Sequence, residues 1–250
     1  MHRYQQSFVI RQSKQDWGEA MDVSRFYGRQ EELQTLESWI IEDRCRLIGI
    51  FGLGGIGKTA LSVKIAQQVR SQFECLIWRS LQQAPLLNAL LDEILPIFTQ
   101  TTQTPEASIN SLMAQLRSKR CLLVLDNVES ILSGGNRSGK YQSGYEDYRA
   151  LFERIGDEPH QSCLVITGRE KPGGFPVREG KKFPVRSLTL PGLLEVDGEQ
   201  ILIAKGVDAN NTQLRAIVNY FGGNPLALKI AATTIQELFG GNIQAFEQQG

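Results

Sequence analysis

At 250 residues, with 27 Lys plus Arg against 27 Asp plus Glu, the chain has no formal net charge and so lacks the long-range field that draws proteins to nucleic acid or anionic membranes. A hydrophobic content of 41% is that of an ordinary globular protein, long enough for one large α/β domain and a small appended one. The longest apolar runs, such as Cys121 to Leu125, are too short to span a bilayer, and Met1 to Gln6 lacks the apolar core of a signal peptide, so the cytoplasm is the expected compartment.

Cys45, Cys75, Cys121 and Cys163 show no metal-ligand or redox spacing. Each stands near the start of an apolar segment, which predicts reduced, mostly buried thiols towards one edge of a sheet. Residues 1–22 are polar and weakly patterned and read as a flexible lead-in. The stretch Val23 to Arg29 then precedes a helix whose Leu33, Leu36 and Ile40 share one face. Phe26 and Tyr27 beside Gly28-Arg29 suit either the border of an adenine ring or a packed helix entry.

Arg46 to Phe51 reads as a buried parallel strand. It runs into Gly52-Leu53-Gly54-Gly55-Ile56-Gly57-Lys58-Thr59, which fits the phosphate-binding loop spacing. Glycines let successive N–H groups turn inward on phosphate oxygens, and the helix that follows, with Leu61, Ile65 and Val69 on one face, adds its N-terminal donors. Lys58 is placed for the β- and γ-phosphates and the Thr59 hydroxyl for Mg²⁺. The order strand, glycine loop, helix is what the motif requires.

Glu74 to Arg79 is a second strand, and 85–98 and 106–118 carry helical patterns, with Pro96 and Gln100 to Pro105 marking the break between them. Cys121 to Leu125 is an apolar run ending in Asp126. An acid at the C-terminal end of a parallel strand faces bound phosphates and can hold Mg²⁺; a turn or helix cap is the plainer use. Gly134 to Lys140 nearly repeats the phosphate motif, but no strand precedes it and Tyr141 replaces the hydroxyl, so a mobile surface loop is expected there. After a helix at Tyr148 to Ile155, the strand Gln161 to Thr167 ends in Gly168-Arg169. A guanidinium there suits sensing a terminal phosphate, or is an ordinary surface charge. The basic stretch 170–186 is rich in proline and glycine and reads as a solvated loop. Arg186 to Leu190 is the last strand. From Pro191 the pattern is helical, over Leu193 to Ala204, Gln213 to Phe221 and Leu226 to Phe239, with Gly222-Gly223-Asn224-Pro225 before the third helix.

Taken in order, the phosphate loop, strand-end Asp126, strand-end Arg169 and the Gly-Asn-Pro-Leu-Ala element resemble the NB-ARC group of the STAND class of P-loop NTPases, with a bacterial, cyanobacterial-like flavour, over roughly residues 23–246. The resemblance implies an α/β fold: a three-layer P-loop domain (23–190) on a five-stranded parallel sheet, then a small all-α, ARC1-like module (191–250). It implies an ATP/ADP switch with Mg²⁺ held by Thr59 and Asp126. At matching positions, Phe26, Tyr27, Gly28 and Arg29 line the adenine end; Gly52, Gly54, Gly55, Ile56, Gly57, Lys58, Thr59 and Ala60 hold the phosphates. Arg169 is the sensor, and Pro225 touches the adenine. Partner domains or proteins outside this chain and nucleotide-dependent self-association are implied, with no membrane and no nucleic acid. Where the family often has a second acid, this chain has Asn127. An amide accepts no proton from water, so a general base falls to Glu129 or is missing, and hydrolysis is expected to be slow or absent. An active ATPase or kinase is the alternative; a GTPase is set aside because neither Asn-Lys-x-Asp nor Asp-x-x-Gly occurs.

Overall fold

The structure, a computed structural model, describes residues 13–98, 106–134 and 139–243. Among them six strands form one all-parallel sheet: β1 (Lys14–Asp16), β2 (Leu47–Phe51), β3 (Cys75–Ser80), β4 (Cys121–Asp126), β5 (Cys163–Gly168) and β6 (Val185–Thr189), in the order β1-β3-β4-β5-β2-β6. Side chains alternate between two apolar layers. Ile77, Leu123, Leu125, Leu164 and Ile166 face α3 (Leu87–Phe98), α4 (Ile109–Ser118) and α5 (Glu146–Asp157). Ile48, Ile50, Leu76, Trp78, Val124 and Val165 face α1 (Gln30–Ile41) and α2 (Lys58–Val69). Burial on both faces is why these strands read as continuous apolar runs. Gly49 interrupts the run in β2 because the Phe51 ring lies there, edge-on to Phe175 at 5.5 Å between centroids; a Cβ at Gly49 would come within 2.2 Å of Phe51.

The P-loop strand β2 and the strand bearing Asp126, β4, are not neighbours; β5 is hydrogen-bonded between them. The chain reaches β3 from β2 by passing over both, and returns through β4 and β5 before crossing β2 to β6. The reversal leaves a crevice at the C-terminal strand ends, the usual ligand position in open α/β sheets. Past the short α6 (Phe175–Arg178) and β6, helices α7 (Glu195–Ala204), α8 (Asn211–Tyr220) and α9 (Pro225–Phe239) pack around Leu202, Val218, Leu228 and Ile235 as a separate small core. Asn210 and Gln213 form a reciprocal capping box at α8. Among the described residues no helix is long and apolar enough to cross a membrane.

Three expectations need correction. The sheet has six strands, not five, because residues 14–16 of the expected flexible lead-in pair with β3 from Lys14↔Cys75 to Asp16↔Ile77. Polar residues suffice for a short edge strand that is anchored from beside it: Arg79, almost fully buried, donates to Asp16 Oδ1 at 2.8 Å and to Glu93 Oε1 at 2.5 Å. Residues 1–12 lie outside the described part. Secondly, the helix expected over 85–98 does run to Phe98, but Pro96 lies inside it rather than at its break; the buried Ile94, Leu95 and Phe98 hold the last turn despite the missing amide. The expected break at Gln100 to Pro105 lies outside the described residues. Thirdly, Tyr141 is buried, with Leu132 bridged to it antiparallel, so the base of the near-repeat loop is packed rather than mobile; 135–138 are outside the described residues. The cysteines behave as expected: all four are free, buried and at the N-terminal ends of β2 to β5, far from the crevice.

The Arg79 bond holds the Asp16 carboxyl below its ordinary range, near 3.8. Its stabilisation is therefore present above that value and lost as pH falls through the depressed one. Asp16→Ala removes the charge-assisted bond and should cost about 1–2 kcal/mol at neutral pH, read by urea denaturation. A midpoint unchanged from wild type would mean that β1 is not held by this pair.

Candidate functional site: a glycine loop under a helix N-terminus

The loop from Gly52 to Thr59 takes the shape its glycines permit. Gly55 (φ 75°) and Gly57 (φ 101°) sit in the left-handed region that side chains resist, and α2 starts immediately at Lys58. Lys58 is almost buried and its Nζ donates to the carbonyls of Gly52 and Leu53, both at 3.0 Å, so the ammonium is already held at the mouth of the loop. Burial draws its pKa down, against the opposing pull of Glu129 and Asp126.

Asp126 is 5% exposed at the end of β4. Its two oxygens accept from Thr59 Oγ1 at 3.0 Å and Thr167 Oγ1 at 2.6 Å. Burial raises its pKa, with the two hydroxyls opposing. A buried carboxylate against the hydroxyl of the first helical turn is a hard-oxygen donor pair suited to Mg²⁺. Among the described residues no cluster of three or more His, Cys, Asp or Glu forms a metal cage. One carboxylate and one hydroxyl, completed by phosphate oxygens and water, is how Mg²⁺ is usually held. The residues fit the ion.

Because β5 lies beside β2, Gly52 N donates to Gly168 O at 3.2 Å and Arg169 emerges over the glycine loop. A Cβ at Gly54 would meet the Arg169 Nη2 at 3.5 Å. The guanidinium is 70% exposed and faces Glu129, Nε to Oε1 being 3.4 Å. Glu129 sits on the single 3₁₀ turn Val128–Ile131 that follows Asn127 (φ 70°). The Asn127 amide is assigned with its NH₂ towards Glu129, donating at 2.9 and 3.3 Å, and its oxygen accepting from Ser130; the reverse would set a carbonyl against the carboxylate. Both Glu129 oxygens are thus engaged.

On the other side of the loop a pocket of about 270 Å³ opens between the sheet domain and the helical module. It is lined by Phe26, Tyr27, Arg29 and Pro225, expected at an adenine end, together with Gly55 to Ala60, expected at the phosphates. Gly52, Gly54, Asp126, Glu129 and Arg169 lie outside it, around the loop. Gly28 (φ 66°) is not on the pocket; it lets Asp197 of α7 approach, since a Cβ there would come within 2.4 Å of that carboxylate. Leu226 of the Gly-Asn-Pro-Leu-Ala element also lines the pocket, as do Met21, Arg25, Leu193, Ile201 and Lys229, which no local motif marks. Thr167 was legible only as a strand residue, because its role needs β5 beside β4. Asn224 sits in a recognisable element, but its side chain does what Pro225 alone does not suggest. It caps α9 by accepting from Leu226 N and Ala227 N, and its Nδ2 donates to Gly54 O at 3.0 Å. Leu226 N donates to Gly55 O at 3.3 Å.

Residues 29–131 match the NB-ARC domain family model, which spans the phosphate loop, Asp126 and Glu129 and ends before Arg169. The chain is 44% identical over 252 residues to an uncharacterised WD repeat-containing protein of Nostoc sp., covering 94% of this chain and 20% of that protein. It is 29% identical over 197 residues to a disease resistance protein of Arabidopsis thaliana, covering 74% and 14%. The chain therefore spans a fifth or less of the length of these two relatives. Among solved structures, a STAND protein with a tetratricopeptide repeat sensor from Pyrococcus horikoshii superposes with a TM-score of 0.58 at 14% identity, over 94% of this chain and 34% of that one. A Walker-type ATPase of Pyrococcus abyssi gives 0.59 at 14%, over 88% and 71%, which again concerns the fold. Family match, loop geometry and topology agree: residues 29–131 match an NB-ARC domain, and the chain has the P-loop NTPase fold.

Proposed function

We propose that this chain is an ATP/ADP-binding switch module with slow or absent hydrolysis, using Mg²⁺ and acting on domains or proteins outside the chain. One observation carries the reading: the first turn of α9 is hydrogen-bonded to the carbonyls of Gly54 and Gly55, on the back of the same loop whose amides would cradle phosphate. A ligand that reshapes the loop then acts on the module without any intermediary. The pocket between the sheet domain and the helical module, lined by Phe26, Tyr27 and Pro225, suits a nucleoside end.

In this reading the loop amides and Lys58 bind the phosphates, and Thr59 with Asp126 holds Mg²⁺, whose charge would neutralise the β- and γ-oxygens. Arg169 stands over Gly54, where a third phosphate would draw it from Glu129. Both Glu129 oxygens face donors on Asn127 and Arg169 rather than an open water position, which supports slow turnover. The proposal includes a cytoplasmic location and nucleotide-dependent self-association.

Lys58→Ala should reduce ADP affinity by at least about a hundredfold, measured by calorimetry, since a largely buried charge-assisted contact is worth roughly 3 kcal/mol. Unchanged affinity would refute the site. Arg169→Ala should leave ADP binding intact and erase the difference in hydrogen exchange at the Leu226 amide between ADP and a non-hydrolysable ATP analogue. If wild type shows no such difference, the module is a nucleotide-stabilised scaffold and not a switch. Intrinsic turnover should lie below about 1 s⁻¹, the low end of ordinary enzymes; a faster steady-state phosphate release would require a competent base.

A further inference from the structure

Arg29 was expected at the adenine end, but its guanidinium is spent elsewhere. The residue is 6% exposed, at φ 69°, immediately before α1. Its Nη1 pairs with Glu32 at 2.7 Å. Its Nη2 donates to Ile56 O at 3.2 Å and to Pro191 O at 2.7 Å, with Gly192 O at 3.5 Å from Nη1. Ile56 belongs to the glycine loop, and Pro191-Gly192 is the connection from β6 to α7. One buried cation therefore holds a phosphate-loop carbonyl and the carbonyls of the hinge to the helical module.

Peptide planarity turns this into a statement about the ligand. In a trans peptide the C=O and the following N–H point in opposite directions. With Ile56 O held by Arg29, the Gly57 N–H of the same peptide points away from that guanidinium, and Gly57 lines the pocket. The hinge has little slack to dissipate a movement of Arg29. Leu190 N donates to Phe51 O at 2.7 Å and Leu193 N to Gly223 O at 2.8 Å. A Cβ at Gly192 would sit 1.9 Å from Gly222 O. A lysine could satisfy one of these carbonyls, whereas the planar fork of an arginine reaches several in fixed geometry.

We infer that Arg29 is a positioning residue, not an adenine contact: it sets the Ile56–Gly57 peptide for phosphate and ties that peptide to the hinge at Pro191. The inference rests on the nucleotide-binding reading. The test compares ADP with inorganic pyrophosphate, which has the phosphates and no base, on wild type, Arg29→Lys and Arg29→Gln, each checked for a cooperative thermal melt. Affinities come from calorimetry and the hinge is read by hydrogen exchange at the Leu193 amide under saturating ligand. Both variants should lose about tenfold or more for ADP and for pyrophosphate alike, and Leu193 exchange should quicken about tenfold. The use of two variants keeps the comparison available should one fail to fold. Loss for ADP with pyrophosphate binding unchanged would return Arg29 to the adenine end and overturn the inference. So would equal losses with Leu193 exchange unmoved, because the hinge would then be independent of Arg29. Wild type that binds neither ligand overturns the nucleotide reading and this inference with it; wild type that binds both, with variants equal to it, overturns this inference alone.

Discussion

Every peptide that turns its N–H towards a phosphate must turn its carbonyl the other way, and a buried carbonyl needs a donor. That constraint organises the molecule. Gly52 O and Leu53 O accept from Lys58 Nζ, Gly54 O from the Asn224 amide, Gly55 O from Leu226 N, Ile56 O from Arg29 and Gly57 O from Leu61 N. The donors come from the loop itself, from α9, from the segment before α1 and from α2. A loop built to present amides has in this way recruited an element from each end of the chain. The helical module is therefore attached to the binding loop itself, rather than merely tethered nearby by the chain at Pro191.

The second organising feature is the placement of β5 between β2 and β4. The intervening strand brings Thr167 to Asp126 on one side and Arg169 over Gly54 on the other. A single strand end thus supplies the hydroxyl that orients the buried acid and the cation that overhangs the loop. Gly168 has to be small for this, because a Cβ would come within 2.7 Å of Val128 on the turn that carries Glu129.

What the sequence disclosed follows from how local each signal is. The glycine loop, the strands around it and the helical faces at Leu33-Leu36-Ile40 and Leu61-Ile65-Val69 were legible because their determinants lie within a dozen residues. Lys14 to Asp16 carried no strand signal: what fixes it is Arg79, sixty-three residues further on, and a pairing with β3 that no window contains. Pro96 misled because the rule against proline in helices ignores the buried contacts on both sides of it. At the site, Lys58, Thr59 and Asp126 were found by type and spacing. Arg29 was singled out by position, but its bonds to three carbonyls had no local signal, because where a cation points is decided by tertiary packing. The bonds of Thr167 to Asp126 and of Asn224 to Gly54 depend on strand order and module docking, which no local pattern records.

The strength of the docking bears on what such a loop can do. Two neutral hydrogen bonds from α9 contribute about 1 kcal/mol each, and the Arg29 bonds to Pro191 and Ile56 rather more because the donor is charged. Leu226, still half exposed, adds only part of an apolar side chain. The polar grip of the module on the loop is then a few kcal/mol, within reach of the 1–3 kcal/mol typical of coupling between sites and of the roughly 5.5 kcal/mol that inverts a two-state population. An apolar interface of the size found inside the sheet domain would hold the module whatever sat in the loop. Had there been no contact, no ligand could be felt across the gap. In the proposed switch, attachment through a few hydrogen bonds to the loop's own carbonyls, beside the packing of Tyr27 on the module's core, would define a closed arrangement that a change in the loop reverses.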